Sequence, residues 1–311
     1  MINNNGWITM VYDVIIIGGG PAGLSAGIYA KRAMMNALLI EKVGVGGQIT
    51  KTHMLENYPG FPEVSGMELM EKMEEHTKKF DLEIKFADVR QIKDGGDVKT
   101  VVTSDGEFET RSVIVATGTR PKKLGVPGED EFTGRGVSTC ATCDGFFFTG
   151  KDVVLVGGGD SAIVEAIFLT KMVNKVYVIH RRDELRAEKI NQERAFKNPK
   201  IEFVWNSNLQ SIEGTNTVEK VIVKNKLTDE ITEILVGGVF MYVGVEPGTD
   251  FVEADKDGNG FLITGPDLST SVPGIFAAGD CRTTLLRQVA TAVADGALAA
   301  VSAERYLAGI E

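Results

Sequence analysis

The sequence predicts an α/β protein built around two copies of a β-α-β unit, and two observations support this prediction. The segment that starts at Asp13 aligns without a gap on the segment that starts at Asp152, 139 residues further along the chain. Each copy contains a short β-branched run, a glycine cluster, a stretch rich in Ala, Ile and Leu, and a second apolar run. Because apolar runs bounded by glycine are typical of buried parallel strands, the predicted strands are Val14–Ile17, Ala37–Ile40, Val153–Val156 and Val176–Ile179.

Length and composition are those of a two-domain globular protein of 311 residues. The net charge of −10 argues against a nucleic-acid binder, which normally carries a basic patch. The three cysteines, Cys140, Cys143 and Cys281, are too few for a disulfide-rich secreted domain. No apolar run reaches the roughly 20 residues that span a membrane, and residues 1–10 are interpreted as a leader without signal-peptide features. We therefore expect a protein of the reducing cytoplasm, with no membrane partner.

The glycines of both copies match the dinucleotide-binding pattern. The first copy has Gly18, Gly20 and Gly23 at the required spacing, and the second has Gly157 and Gly159 followed by Ala162. The first glycine permits a tight turn, the second allows the backbone to approach a pyrophosphate, and the third small residue allows close packing of helix on strand. The helix N-terminus then offers free N–H groups to phosphate. Two such turns in register predict two nucleotide sites.

The two copies differ in charge at the position where a nucleotide ribose is recognised. The first copy ends at Glu41, whose carboxylate accepts hydrogen bonds from ribose hydroxyls and repels a 2′-phosphate. The aligned residue of the second copy is His180, followed by Arg181, Arg182 and Arg186. Guanidinium groups bind phosphate oxygens, so the first site is predicted to take FAD or NAD and the second NADPH. The alternative for HRRDELR is the solvated, charged start of a helix.

Further apolar runs predict the strands that complete each sheet, and a terminal helix. Residues 112–118 and 238–244 end at glycine, and residues 274–280 end at an acid. Leu285–Val289 is predicted to open a long Ala-rich helix that ends near Leu307. The predicted domains are residues 11–119 and 247–311 for one nucleotide and residues 120–246 for the other.

The pair Cys140 and Cys143 lies in the sequence CATCDGFFF and admits three interpretations. A zinc site requires further Cys or His ligands at fixed spacing, and the chain offers no second such pair. Two inert buried thiols are a second possibility. A redox-active dithiol is the third, because the thiols of CxxC motifs often ionise near neutral pH and exchange through a mixed disulfide. Asp144 is a candidate proton donor and acceptor or, alternatively, a helix N-cap.

The three phenylalanines that follow, Phe146, Phe147 and Phe148, are expected to lie in the core by default. They cannot all face one way, so at least one is expected to be exposed, as at a surface that binds a protein partner.

Taken together, these motifs resemble the low-molecular-weight, bacterial-type thioredoxin reductases over essentially the whole chain from Val11. The matching segments are GGGPAG, GGQ, ENYPGF, ATG, GRGVSTCATCDGFF, GGGDSA, HRRDELRA, AAGD and RQVATA. The resemblance implies a homodimeric flavoprotein with two Rossmann-like, three-layer dinucleotide-binding domains, the NADPH domain being inserted in the FAD domain. It also implies a rotation of the NADPH domain during turnover.

The resemblance assigns roles residue by residue. For FAD it implies Gly18, Gly20, Pro21, Ala22, Gly23, Glu41, Gln48, Asn57, Val89, Gly118, Asp280, Arg287, Gln288 and Val289. For NADPH it implies Gly157, Gly159, Ser161, Ala162, His180, Arg181, Arg182 and Arg186. Cys143 is implied to face the flavin, Cys140 to attack thioredoxin and Asp144 to move the proton, while Arg135, Phe146 and Phe147 contact thioredoxin.

Two features lie outside this pattern, and two other functions remain as alternatives. Cys281 is interpreted as a bystander thiol, and the charge of Asp160 beside a phosphate is unfavourable unless its side chain points away. One alternative function is a related reductase with another electron donor, such as ferredoxin, or another small dithiol protein as acceptor. The other is a flavin-binding sensor or scaffold without turnover.

Overall fold

The computed structural model describes residues 10–309, so the predicted leader, apart from Met10, lies outside the described residues. The strands and helices are, in chain order, β1 (Val11–Ile17), α1 (Pro21–Arg32), β2 (Ala37–Glu41), α2 (Gly66–Lys78), β3 (Glu83–Phe86), β4 (Val89–Gly95), β5 (Val98–Thr103), β6 (Gly106–Val115), β7 (Thr119–Pro121), β8 (Val137–Ser138), α3 (Ala141–Asp144), β9 (Asp152–Val156), α4 (Asp160–Leu169), β10 (Lys175–Ile179), α5 (Lys189–Lys197), β11 (Ile201–Val204), β12 (Ser207–Gly214), β13 (Val218–Asn225), β14 (Ile231–Leu235), β15 (Gly238–Met241), β16 (Val245–Pro247), β17 (Ile275–Ala277) and α6 (Val289–Ala308).

The chain divides into two compact units. The first unit consists of the residues up to Arg120 and those from Glu246 onward, and the second consists of Pro121–Val245. Each boundary lies one residue from the position predicted from the sequence. Strands β7 and β16, which pair with each other, mark the two places where the chain passes from one unit to the other.

The first unit is built on a seven-stranded sheet in the order β3-β2-β1-β6-β5-β4, with β17 also paired to β6. Strands β3, β2, β1, β6 and β17 are parallel to one another, whereas β4, β5 and β6 form antiparallel pairs. Helices α1 and α6 pack on one face of the sheet and contact each other closely. A Cβ at Gly296 in α6 would lie only 2.0 Å from the carbonyl oxygen of Ala22 in α1, so these helices require glycine at this crossing.

The second unit contains a five-stranded parallel sheet in the order β11-β10-β9-β15-β8 and an antiparallel meander, β12-β13-β14. One apolar cluster joins the parallel sheet to α3, α4 and α5, and another joins it to the meander. The resulting layers are helices, parallel sheet and antiparallel sheet. Both predicted β-α-β units are present, and the predicted α/β class with parallel sheets is confirmed.

The last helix begins later than predicted. Residues Leu285–Gln288 are not helical, and Gln288 has extended backbone angles of φ −142° and ψ 161°. The Leu285 side chain is fully exposed. The Gln288 side chain accepts a hydrogen bond from the backbone of Thr291, whose hydroxyl in turn accepts one from the Gln288 N–H. This reciprocal capping box fixes the start of α6 at Val289. No helix within residues 10–309 is long and apolar enough to span a membrane.

Candidate nucleotide and dithiol sites

The first glycine turn has the geometry that a pyrophosphate site requires. Gly18 has φ +110°, and a Cβ there would lie 2.4 Å from the carbonyl oxygen of Ala116. At Gly23 a Cβ would lie 1.8 Å from the carbonyl oxygen of Gly18, so only glycine allows α1 to pack this closely. At Gly20, by contrast, a Cβ would meet no atom within 4 Å. The open side of the turn faces the start of α1, where Pro21 is the first residue and no side chain caps the N–H groups.

Glu41 is held at the carboxyl end of β2 by backbone amides. Its Oε2 accepts a hydrogen bond from Gly19 N at 2.7 Å, and its Oε1 accepts hydrogen bonds from Lys42 N at 2.7 Å and Val43 N at 3.0 Å. These hydrogen bonds orient the carboxylate beside the glycine turn. Carboxylate oxygens have further lone pairs, so Glu41 can also accept hydrogen bonds from ribose hydroxyls.

Other residues predicted for the first site come from separate parts of this unit. Gln48 Nε2 donates to Thr119 O at 2.6 Å, and Asn57 Nδ2 donates to Gln288 Oε1 at 3.2 Å. These bonds connect the GGQ and ENYPGF segments with the start of β7 and the residue before α6. The remaining members are Gly118, which has φ +61° and an open side, Val89 at the start of β4, and the buried residues Ala22 and Val289.

Asp280 and Arg287 lie together between β17 and α6. Burial raises the pKa of the Asp280 carboxyl to about 6, Arg287 lowers it, and Asp295 raises it further. Arg287 Nε donates to the Asp280 carbonyl at 3.4 Å, and its guanidinium group lies 4.1 Å from the centre of the Phe261 ring. Cys281, the next residue, is fully buried, and burial raises the pKa of its thiol to about 11. The thiol form fits the bystander interpretation.

The second glycine turn has the same arrangement as the first, with alanine in place of the third glycine. A Cβ at Gly157 would lie 2.6 Å from the carbonyl oxygen of Tyr242, whereas one at Gly159 would meet nothing within 4 Å. Ala162, which replaces the third glycine, is buried, and Ser161 is exposed in the first turn of α4. No side chain caps the N-terminus of α4, so its N–H groups are available to a phosphate.

The arginine loop, residues 180–188, is irregular, and α5 begins only at Lys189, so the alternative of a charged helix start is wrong. The loop is tied to the glycine turn at two points. Arg186 N donates to Gly158 O at 2.8 Å, and Glu188 N donates to Asp160 Oδ1 at 2.6 Å. One oxygen of the Asp160 carboxylate is thus engaged by this loop, which holds the arginines beside the phosphate-binding turn.

The basic residues of this loop fall into two kinds. The side chains of Arg181, Arg182 and Arg186 are exposed, and none takes part in an ion pair within residues 10–309. His180 is only 5% exposed and lies beneath Gly158, with its ring edge-on to Trp205. Burial lowers the pKa of His180, as do the three neighbouring arginines. Its buried Nε2 has no hydrogen-bond partner among the described residues.

Cys140 and Cys143 form a disulfide at the start of α3. Cys140 is buried and is the N-cap of this short helix, since its Sγ accepts a hydrogen bond from Cys143 N at 3.1 Å. Cys143 is exposed. The Ala141 N–H donates to the Tyr242 hydroxyl oxygen at 3.0 Å, which holds α3 on the strand end that follows β15.

Asp144 is the N-cap residue of the one-turn helix Gly145–Phe148, but its side chain is engaged by Ser138. Its Oδ2 accepts a hydrogen bond from Ser138 Oγ at 2.6 Å, and Ser138 Oγ in turn accepts one from Cys140 N at 3.0 Å. The one-turn helix that follows, Gly145–Phe148, has no side-chain cap from Asp144. Ser138 therefore connects the carboxyl group of Asp144 with the backbone of the first cysteine, a role that sequence reasoning missed.

A second carboxyl group near the dithiol, that of Glu165, was also missed. Glu165 lies on the buried side of α4, and burial raises its pKa to about 7. Its Oε2 accepts a hydrogen bond from Thr142 Oγ1, between the two cysteines, at 3.4 Å. Burial also raises the pKa of Tyr242, and so does the charge of Glu165. The signal in the sequence was an acid inside the apolar run AIVEAIFL.

Two of the three phenylalanines are exposed. Phe146 and Phe147 are 75% and 73% exposed and meet edge to face, whereas Phe148 is buried against Phe240. Arg135, which was predicted to contact a partner, is also exposed, and its guanidinium group lies over the Phe132 ring. The expectation of at least one exposed phenylalanine is therefore confirmed.

Two nucleotide-type turns and one redox disulfide in a single chain define a disulfide oxidoreductase that uses a pyridine nucleotide. Residues 12–296 match the pyridine nucleotide-disulphide oxidoreductase family. The chain is 47% identical to the thioredoxin reductase of Peptoclostridium litorale, covering 96% of this chain and 97% of that protein. It is 46% identical to the thioredoxin reductase of Bacillus subtilis, over 96% and 95% of the two chains.

A solved structure gives the same result. The structure of Lactococcus lactis thioredoxin reductase in its FR conformation matches with a TM-score of 0.95 and 45% identity, covering 96% of this chain and all of that one. The chain belongs to the pyridine nucleotide-disulphide oxidoreductase family, whose members combine a flavin with a pyridine nucleotide, and within it to the low-molecular-weight thioredoxin reductases.

Proposed function

We propose that this protein is an NADPH-dependent thioredoxin-disulfide reductase that carries FAD. The observation that supports this most directly is the Cys140–Cys143 disulfide, which lies in the same unit as a nucleotide turn flanked by exposed arginines. The other unit offers a second nucleotide turn with a carboxylate, Glu41, at the ribose position. One unit is therefore suited to a nucleotide with a 2′-phosphate and the other to a nucleotide without one.

FAD is assigned to the first unit. The N-terminus of α1 and the open side at Gly20 would hold the pyrophosphate, and Glu41 would accept hydrogen bonds from the adenosine ribose. Asp280 and Arg287, at the entrance to α6, would hold the flavin part, and the N-terminal dipole of α6 favours negative charge there. When bound, FAD can take two electrons from a nicotinamide and deliver them to a disulfide.

NADPH is assigned to the second unit. The N-terminus of α4 and the open side at Gly159 would bind the pyrophosphate, and Ser161 adds a hydroxyl donor. Arg181 and Arg182 would bind the 2′-phosphate as charge-assisted donors. Since neither guanidinium group is in an ion pair with a described residue, binding costs them no existing salt bridge.

The dithiol passes the electrons to thioredoxin by exchange. Reduction of the Cys140–Cys143 disulfide consumes two electrons and two protons and yields two thiols. Asp144, held by Ser138, would supply or take the proton of the thiol that becomes the nucleophile. Attack of the Cys140 thiolate on the thioredoxin disulfide forms a mixed disulfide, which Cys143 then cleaves to release thioredoxin with two thiols.

The surface beside the dithiol is the proposed docking site for thioredoxin. Phe146 and Phe147 present a large exposed aromatic area close to Cys143, and Arg135 adds a positive charge. Exposed aromatic and arginine side chains are enriched at protein interfaces. The proposal includes a homodimer working in the cytoplasm.

Anaerobic titration tests the donor, and trapping tests the dithiol. We expect NADPH to bleach the flavin absorbance far faster than NADH or reduced ferredoxin, and the reduced protein to reduce thioredoxin. If only reduced ferredoxin bleaches the flavin absorbance, ferredoxin and not NADPH is the electron donor. Cys143→Ser is expected to keep FAD, lose turnover and accumulate a Cys140–thioredoxin adduct, whereas retained turnover excludes the dithiol route.

A further inference from the structure

The turn after β17 holds Asp280 between two helices. Gly279 has φ +76°, and a Cβ at this position would lie 3.0 Å from the Cβ of Ala22 in α1 and 3.5 Å from the Cβ of Ala292 in α6. The turn is therefore wedged against both helices, and Asp280 is its next residue. The position of the Asp280 carboxyl group depends on how firmly this turn is held.

Asp295, in α6, binds the turn on both sides of Asp280. Its Oδ2 accepts hydrogen bonds from Gly279 N at 2.9 Å and from Arg282 Nε at 2.7 Å, and its Oδ1 accepts one from Arg282 Nη2 at 2.8 Å. Arg282 Nη1 donates to its neighbour's carbonyl, Thr283 O, at 3.0 Å. The Arg282 and Asp295 side chains are only 18% and 13% exposed. A single carboxylate thus fixes the residue before Asp280 and the second residue after it.

Four charges meet at this place. Asp280 lies between Asp295, which raises its pKa, and Arg287, which lowers it. Arg282 neutralises Asp295 through the bidentate pair, and the Arg282 carbonyl accepts a hydrogen bond from Arg287 Nη2 at 3.4 Å. Two acids and two bases are therefore linked through one turn, so removing either member of the buried pair changes both the position and the charge around Asp280.

We infer that the Arg282–Asp295 ion pair is a positioning element of the flavin site, which holds the Gly279–Cys281 turn so that Asp280 can bind FAD. This inference rests on the proposed assignment of FAD to the first unit. Arg282 and Asp295 act through Asp280 and the turn, and neither is assigned a contact with the flavin.

A purely structural role of the pair leads to different expectations. An ion pair that only stabilises the fold would lower the melting temperature when it is broken, but the folded variant would bind FAD as before. A positioning role changes the FAD dissociation constant of the folded protein. The charge change also acts on the flavin, because reduced flavin carries more negative charge than oxidised flavin and is favoured by nearby positive charge.

The experiment measures FAD binding to the apoprotein. Wild type, Asp295→Asn and Arg282→Met are freed of flavin, checked for native circular dichroism and titrated with FAD. We expect the dissociation constant to rise at least tenfold in both variants. Glu107→Gln, which breaks the exposed Lys93–Glu107 pair of the same unit, is the control and should stay within twofold of wild type.

The flavin midpoint potential is measured on the reconstituted proteins against a reference dye. We expect it to rise in Asp295→Asn, which leaves Arg282 unpaired, and to fall in Arg282→Met, which leaves Asp295 unpaired. A tenfold change in the reduction equilibrium corresponds to about 30 mV for two electrons. Equal potentials and FAD dissociation constants within twofold of wild type in the folded variants would overturn the inference.

A double variant and the wild-type apoprotein distinguish the remaining outcomes. If the single variants do not fold, the double variant Arg282→Met/Asp295→Leu replaces the pair by apolar groups of similar size, a change that buried pairs often tolerate. It should fold and still bind FAD at least tenfold more weakly, and wild-type affinity would overturn the inference. A wild-type apoprotein that binds no FAD would refute the proposed function as well, whereas tight binding by all variants refutes the positioning role alone.

Discussion

Replacing Glu165 by Gln should stabilise the protein by about 3 kcal/mol above neutral pH and by less than about 1 kcal/mol at pH 5. Glu165 is buried in α4, and the hydrogen bond described for it comes from Thr142 Oγ1 at 3.4 Å. Tyr242, the titratable group that interacts with it, provides no positive charge that could stabilise a carboxylate. The cost of ionising Glu165 inside the fold is therefore a cost of desolvation.

The magnitude follows from the pKa. Burial raises the pKa of Glu165 from the ordinary 4.5 to about 7. Below pH 4.5 the carboxyl group is protonated in both the folded and the unfolded chain and contributes nothing. Between these values the unfolded chain has released the proton and the folded chain has kept it, so the free energy of unfolding falls as the pH rises. Above pH 7 the penalty is constant, at about 3 kcal/mol.

Glutamine has no proton to lose and can still accept the hydrogen bond from Thr142. The Glu165→Gln variant should therefore exceed wild type in free energy of unfolding by less than about 1 kcal/mol at pH 5 and by about 3 kcal/mol at pH 8.5. Urea unfolding of the oxidised protein, followed by fluorescence in a Trp7→Phe background, reports the unit that contains Trp205. Glu193→Gln, which removes an exposed carboxylate paired with Lys197, is the control and should show no such pH dependence.

The result would contradict this reasoning if wild type and Glu165→Gln had the same free energy of unfolding from pH 5 to 8.5. Glu165 would then be solvated or paired with a positive charge. If the variant is less stable by a constant amount at every pH, the hydrogen bond to Thr142 contributes to the free energy of unfolding and the ionisation of Glu165 does not.

Three further predictions concern the second glycine turn and the helix crossing. Arg182→Ala should raise the KM for NADPH about tenfold or more with little change for NADH, whereas Lys197→Ala should change neither; equal effects on both nucleotides would exclude a 2′-phosphate contact. Asp160→Ala should raise the NADPH KM, and Asp160→Asn, which keeps an acceptor for the loop amide, should not, as initial-rate kinetics will show. Gly296→Ala should lower the free energy of unfolding by about 1–3 kcal/mol by overpacking, whereas Gly258→Ala, in open space, should be neutral by urea titration.

The β-α-β units could be predicted because their constraints are local. The glycine spacing, like the β-branched runs beside it, reflects local contacts such as that of Gly23 with Gly18, and these contacts appear in the sequence as a repeat. The charge inversion between Glu41 and the arginine loop is equally local. The structure adds how each is held, by three amides for Glu41 and by Asp160 and Gly158 for the loop.

The surroundings of the dithiol could not be predicted, because they come from distant parts of the chain. Tyr242 contacts Ala141 across 101 residues, and Glu165 meets Thr142 across 23. No spacing rule connects such positions. The start of α6 was placed too early for a different reason: the apolar Leu285 suits a helix by composition, but the capping box at Gln288 determines where the helix begins.

Two carboxyl groups lie near the dithiol in different surroundings. Asp144 receives a hydrogen bond from Ser138, which suits a group that exchanges protons with a thiol. Glu165, in α4, is buried, and burial raises its pKa to about 7, so near neutral pH it is partly protonated. Reduction of the disulfide consumes two protons, and a neighbouring acid with a pKa of about 7, Glu165, will change the pH dependence of that reduction. The Glu165→Gln variant therefore tests both stability and proton uptake at the dithiol. Between pH 5 and 8.5, the plot of the midpoint potential of the Cys140/Cys143 couple against pH should show one ionisation fewer for this variant than for wild type.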